Sequence, residues 1–117
     1  MIIPSQSVKI VIATKPVDFR KGHDGLAAVA ERELGLDPHS GVIVVFRAKR
    51  GDRIKVLLWD GSGLVMAYKR LEQSKFAWPG ISDGVMRLSR AQFEALFEGL
   101  DWRRVMARRA TRPGATR

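Results

Sequence analysis

Five cationic residues, Arg47, Lys49, Arg50, Arg53 and Lys55, cluster around the turn Ala48-Lys49-Arg50-Gly51-Asp52. Lys69, Arg70 and Lys75 follow, with Trp59, Tyr68, Phe76 and Trp78 interleaved. Guanidinium groups grip phosphates in fork geometry, and aromatic rings stack on unpaired bases. Large aromatics usually bury, so Trp59 and Phe76 are expected in the core, while Tyr68 and Trp78 stay open. A second cationic pair, Arg20-Lys21, precedes a helical pattern, where free backbone N–H groups favour anions. Plain exposed charge after a cap explains that pair equally well.

Catalysis finds little support. The two histidines, His23 and His39, lack the i, i+4 spacing of a zinc helix. Gly22-His23-Asp24-Gly25 matches neither the phosphate-loop nor the dinucleotide pattern. Ser40-Gly41 and Ser62-Gly63 are not nucleophile elbows. Asp52 and Asp60 flank one extended segment, too far apart for one metal pair. No catalytic residue, metal site or cofactor is expected.

The chain has 117 residues and a net charge of +9. Residues 47–75 hold eight basic and three acidic residues, and residues 103–117 hold six arginines and no acid. Charge gathered in this way favours polyanions through counterion release. Solubilising surface charge is the bland alternative. There is no cysteine, no apolar run of membrane-spanning length and no signal-peptide pattern, which leads to an expected cytoplasmic location.

These residues must be held by a framework. Val8–Ala13 reads as a first strand. Asp18 is expected to cap a helix running to about Leu34, with His23 or Asp24 as alternative starts. Gly35 is a candidate C-cap and Pro38 a stop signal. Val42–Phe46, Ile54–Trp59 and Leu64–Leu71, joined by the basic turn and Asp60-Gly61-Ser62-Gly63, predict a three-stranded antiparallel meander. Gly84–Leu88 suggests one more edge strand. Ser89-Arg90-Ala91-Gln92 is a capping box that opens a helix carrying Phe93, Leu96, Phe97 and Leu100 on one face. The expected fold is α+β: a mostly antiparallel sheet, the meander plus one or two further strands, packed against two helices that cover one face. Residues 1–104 form the expected single domain and 105–117 a basic, disordered tail.

Several motifs together resemble a known family. They are Pro16–Leu26, Leu36-Asp37-Pro38-His39-Ser40-Gly41, Val45–Lys55, Trp59–Leu64, Tyr68–Glu72, Phe76-Ala77-Trp78-Pro79, Leu88–Phe93 and Glu98–Arg103. In this order they resemble the TnpB-type accessory protein of bacterial insertion sequence family sixty-six, over about residues 8–104. This is not the RNA-guided nuclease that shares the TnpB label. The resemblance implies a bacterial cytoplasmic protein encoded beside a separate transposase and supporting transposition. It supplies no catalytic residues.

Charge and resemblance together lead to the expectation of a non-enzymatic accessory protein that binds DNA, at transposon ends or within a transposase assembly. Arg47, Lys49, Arg50, Arg53 and Lys55 are the expected phosphate contacts, with Arg20, Lys21, Lys69 and Arg70 extending the footprint. Roughly six to eight such contacts imply a salt slope of about −0.9 per phosphate. The rival expectation is a protein–protein adaptor that docks on the transposase through Phe76, Trp78 and Pro79 without touching DNA.

Overall fold

The computed structural model describes residues 8–80 and 84–105. The expected tail therefore lies outside the described residues from position 106 onward. Five strands, β1 (Ile10–Ala13), β2 (Ile43–Arg47), β3 (Arg53–Trp59), β4 (Leu64–Arg70) and β5 (Val85–Leu88), form one sheet in the order β4-β3-β2-β1-β5. Helix α1 (His23–Arg32) links β1 to β2, and α2 (Arg90–Glu98) follows β5. This is an α+β fold. The meander has the expected antiparallel register, with Val56 opposite Ala67 and Val45 opposite Val56. Among the described strands only β1 and β2 pair in parallel, which is why a helical crossover joins them.

The helices do not share a face. Alternation along the central strands puts Ile10, Ile12, Ile43, Val45, Ile54 and Val56 on one side, with Phe93, Leu96 and Trp102 over them. Val11, Val44, Phe46 and Leu57 point the other way, beneath Leu26, Val29 and Ala30 of α1. Central strands that are apolar on both sides need cover on both. One helix per face meets that need, which corrects the expected one-sided arrangement.

Local chemistry sets the helix ends. The Ser89 hydroxyl accepts from the Gln92 N–H and the Gln92 side chain accepts from the Ser89 N–H, completing the expected box. Helix α1 starts later than Asp18, at His23, with Gly22 as N-cap and no side-chain cap. Asp18 bonds instead to the Arg20 N–H and guanidinium, an Asx-type contact that shapes the preceding loop. Phe76 is buried as expected, whereas Trp59 is half-buried, edge-on to His39 at 5.2 Å.

Candidate nucleic-acid interface

Three segments converge on one end of the sheet. The loop after β1 is tied there by the Val17 N–H donating to the Arg47 carbonyl at 3.0 Å. The loop after β4 is tied by the Leu71 N–H to the Asp52 carbonyl at 2.8 Å, and by the Phe76 N–H to the Gly51 carbonyl at 2.9 Å. Both loops therefore pack on the β2–β3 turn. Gly51 makes that turn possible, with φ +82. The segments that meet at this end carry Arg20, Lys21, Lys49, Arg50, Arg53, Arg70 and Lys75. An open groove of about 440 Å³ runs between the turn and the second loop, with Arg50, Asp52, Leu71, Glu72 and Lys75 along its walls.

Carboxylates accompany these cations without cancelling them. Arg20 makes a bidentate pair with Asp18, at 2.7 Å for the Nη2–Oδ2 contact. The Arg20 side chain bonds hold the Asp18 carboxyl down at about 2. Asp52 stands 3.7 Å from both Arg50 and Arg53, an ion-pair distance without a hydrogen bond. Arg70 pairs with Glu72 at 3.0 Å. The Arg20–Asp18 and Arg70–Glu72 pairs are exposed, and such pairs are worth about 0–1 kcal/mol, so a phosphate can compete for the cation there; Asp52 and Arg53 are more enclosed. Lys21, Lys49 and Lys75 are exposed, and no salt bridge involves them among the described residues.

Of the expected phosphate contacts Lys55 is turned inward, whereas Arg47 and Lys69 of the expected footprint are half-buried and engaged by other groups of the protein. Lys55 is 4% exposed. Its ammonium donates to the carbonyls of Phe19 and Lys21, both at 2.8 Å, and lies 5.0 Å from the ring centroids of Phe19 and Tyr68. A desolvated ammonium needs this number of partners to stay buried. Lys69 donates to the Phe97 carbonyl at 2.6 Å, at the negative end of α2, and sits over the Phe97 ring. The Arg47 guanidinium packs over Trp78 at 5.6 Å, with Nε buried. Arg47 and Lys69 also lie on the α2 side of the sheet, whereas Arg53, Tyr68 and Arg70 lie on the α1 side. Strand alternation separates them.

The sequence reading missed two supports of this site. Phe19 lies edge-on to Tyr68 at 5.6 Å and ties the first loop to β4. Trp102, 2% exposed, donates from Nε1 to the Ala77 carbonyl at 2.7 Å and pins the segment that follows Lys75. No local spacing announces either, because both contacts span long stretches of chain. The apolar patch expected for an adaptor is largely consumed: Phe76 is buried, and Trp78 and Pro79 are half-buried. Among the described residues no helix is long and apolar enough to cross a membrane. No group of three or more His, Cys, Asp or Glu is placed to hold a metal among them either.

Comparison with known proteins agrees with the motif pattern. A family model described as "IS66 Orf2 like protein" matches residues 8–107. The chain is 47% identical over 113 residues to the uncharacterized protein y4jC of Sinorhizobium fredii (strain NBRC 101917 / NGR234), covering 97% of each. It is 38% identical over 103 residues to the uncharacterized protein y4hO of the same strain, covering 88% of this chain and 90% of that one. No solved structure matches. The chain thus belongs to the IS66 Orf2-like family, which implies an accessory role in an insertion sequence.

Proposed function

We propose that the protein is a non-enzymatic accessory factor that binds the DNA of its insertion sequence. The transposase encoded by the same element is its proposed protein partner. The observation that carries this reading is the convergence of Arg20, Lys21, Lys49, Arg50, Arg53, Arg70 and Lys75 at one end of the sheet, fixed there by three backbone hydrogen bonds. Such a cluster on a rigid framework attracts phosphates and releases their counterions. With Lys55 buried, and Lys69 and Arg47 half-buried and engaged by neighbouring groups, the proposed footprint is smaller than nine cations, about four to six phosphates, and the salt slope is near −4 to −5 on duplex.

The test is an affinity series against salt on transposon-end and scrambled duplexes. A steep linear fall in log affinity, made shallower by Lys49→Glu with Arg50→Glu, supports the reading. A flat plot overturns it. Transposase co-purification that survives nuclease treatment and the same charge reversal, with no DNA binding, favours the adaptor instead.

A further inference from the structure

We propose that Tyr68 is a stacking platform for an unpaired base of single-stranded DNA, a refinement that rests on the DNA-binding reading above. Tyr68 is 49% exposed, yet it is held from several directions. The Lys55 ammonium lies 5.0 Å from its ring centroid, the Phe19 ring meets it edge-on, and Arg53 Nη1 donates to its hydroxyl at 3.3 Å. Lys55 is fixed in turn by two loop carbonyls. An exposed ring that is already immobilised loses little freedom when a base settles on it.

The surroundings suit a phosphate backbone. Arg53 and Arg70 are direct partners in the β3–β4 ladder and lie on the same face as Tyr68. Arg20 and Lys21 belong to the loop that carries Phe19. Cations around an aromatic face are the recurring composition of single-strand sites.

Location argues for a single strand over duplex. Among the described residues β4 is an edge of the sheet. The narrow antiparallel pairs fall at Asp52–Leu71 and Asp60–Gly63, so alternation turns the backbone groups of Leu64, Met66, Tyr68 and Arg70 outward. A strand of DNA can run along this open side. A duplex keeps its base faces stacked and offers the ring only an edge or a backbone.

The experiment uses the full chain and fluorescence anisotropy at one fixed, moderate salt concentration. The probes are a labelled oligothymidylate of roughly 20 nucleotides, an abasic oligomer of equal charge, and a mixed-sequence duplex of similar length. Wild type is expected to prefer the oligothymidylate to the abasic oligomer. Tyr68→Ala and Tyr68→Leu are expected to weaken oligothymidylate binding about fivefold or more, leave the other two probes unchanged, and erase the preference. Tyr68→Phe, which keeps the ring, should stay near wild type. Thermal melts confirm that each variant is folded, and Tyr68→Leu preserves apolar packing against Phe19. Equal weakening on all three probes, or none, overturns the platform while leaving DNA binding intact. Failure of wild type to bind any probe overturns the DNA-binding reading and the platform together.

Discussion

Lys55 and Tyr68 stand opposite each other in the β3–β4 ladder, and the Lys55 ammonium, 5.0 Å from the Tyr68 ring centroid, bonds the carbonyls of Phe19 and Lys21. A basic side chain thus serves as a clamp between the sheet and the loop before α1. The clamp sets the position of Arg20 and Lys21, because both flank or carry the carbonyls it binds.

Removing the clamp has a definite expected cost. Lys55→Met keeps most of the apolar stem but deletes two charge-assisted hydrogen bonds. The expected loss is about 1.5–3 kcal/mol, seen as a lower urea midpoint with an unchanged slope. Amide hydrogen exchange should accelerate in the loop at 18–22 more than in β3. A variant as stable as wild type, with normal protection in that loop, would show that the clamp contributes nothing.

Much of the framework was legible because it depends on local signals. The turns at Gly51 and Gly61, the apolar runs on either side and the Ser89–Gln92 box place β2, β3, β4 and the start of α2 within a residue or two. The site was legible only as a charge cluster. Lys55 looked like its cationic neighbours because sequence does not reveal that Phe19, thirty-six positions earlier, folds over it. Arg47 and Lys69 were counted in one footprint with Arg53 and Arg70, although alternation along β4 already sets Lys69 on the face opposite Tyr68 and Arg70. The pleat sends the two pairs to opposite faces, and only the sheet order shows which helix covers which. Lys75 was noted beside the hairpin but not counted in the footprint. Its place there follows from the Phe76-to-Gly51 bond between distant turns.

The Asp18–Arg20 pair gives a pH signature and a functional one. Asp18 is depressed from 3.8 to about 2, chiefly by the Arg20 side-chain bonds. A depressed carboxyl adds stability above its unfolded value and loses it as pH falls through the folded value. The pair is therefore intact at neutral pH, begins to weaken below 3.8 and is lost near 2. An NMR titration of the Asp18 carboxyl should show its midpoint well below 3.8. Because Arg20 is shared with Asp18, Asp18→Asn should raise DNA affinity about two- to fivefold at neutral pH. An unchanged affinity would remove Arg20 from the footprint.

Gly99 links the second helix to the groove. It ends α2 with φ +88, and a Cβ at this position would come within 3.2 and 3.3 Å of the two Leu71 methyl carbons. Leu71 in turn lies along the groove with Arg50 and Lys75. Gly99→Ala therefore combines left-handed backbone strain with a side-chain clash, and the expected cost is about 1–3 kcal/mol. The two parts separate in a double-mutant cycle. In a Leu71→Ala background the clash is relieved while the strain persists, so Gly99→Ala should cost measurably less there than in wild type. Equal costs in the two backgrounds would mean that Leu71 does not press on the end of α2. The loop bearing Lys75 would then be positioned by its bonds to the Gly51 and Asp52 carbonyls and by the Trp102 bond to Ala77, with nothing added by Gly99.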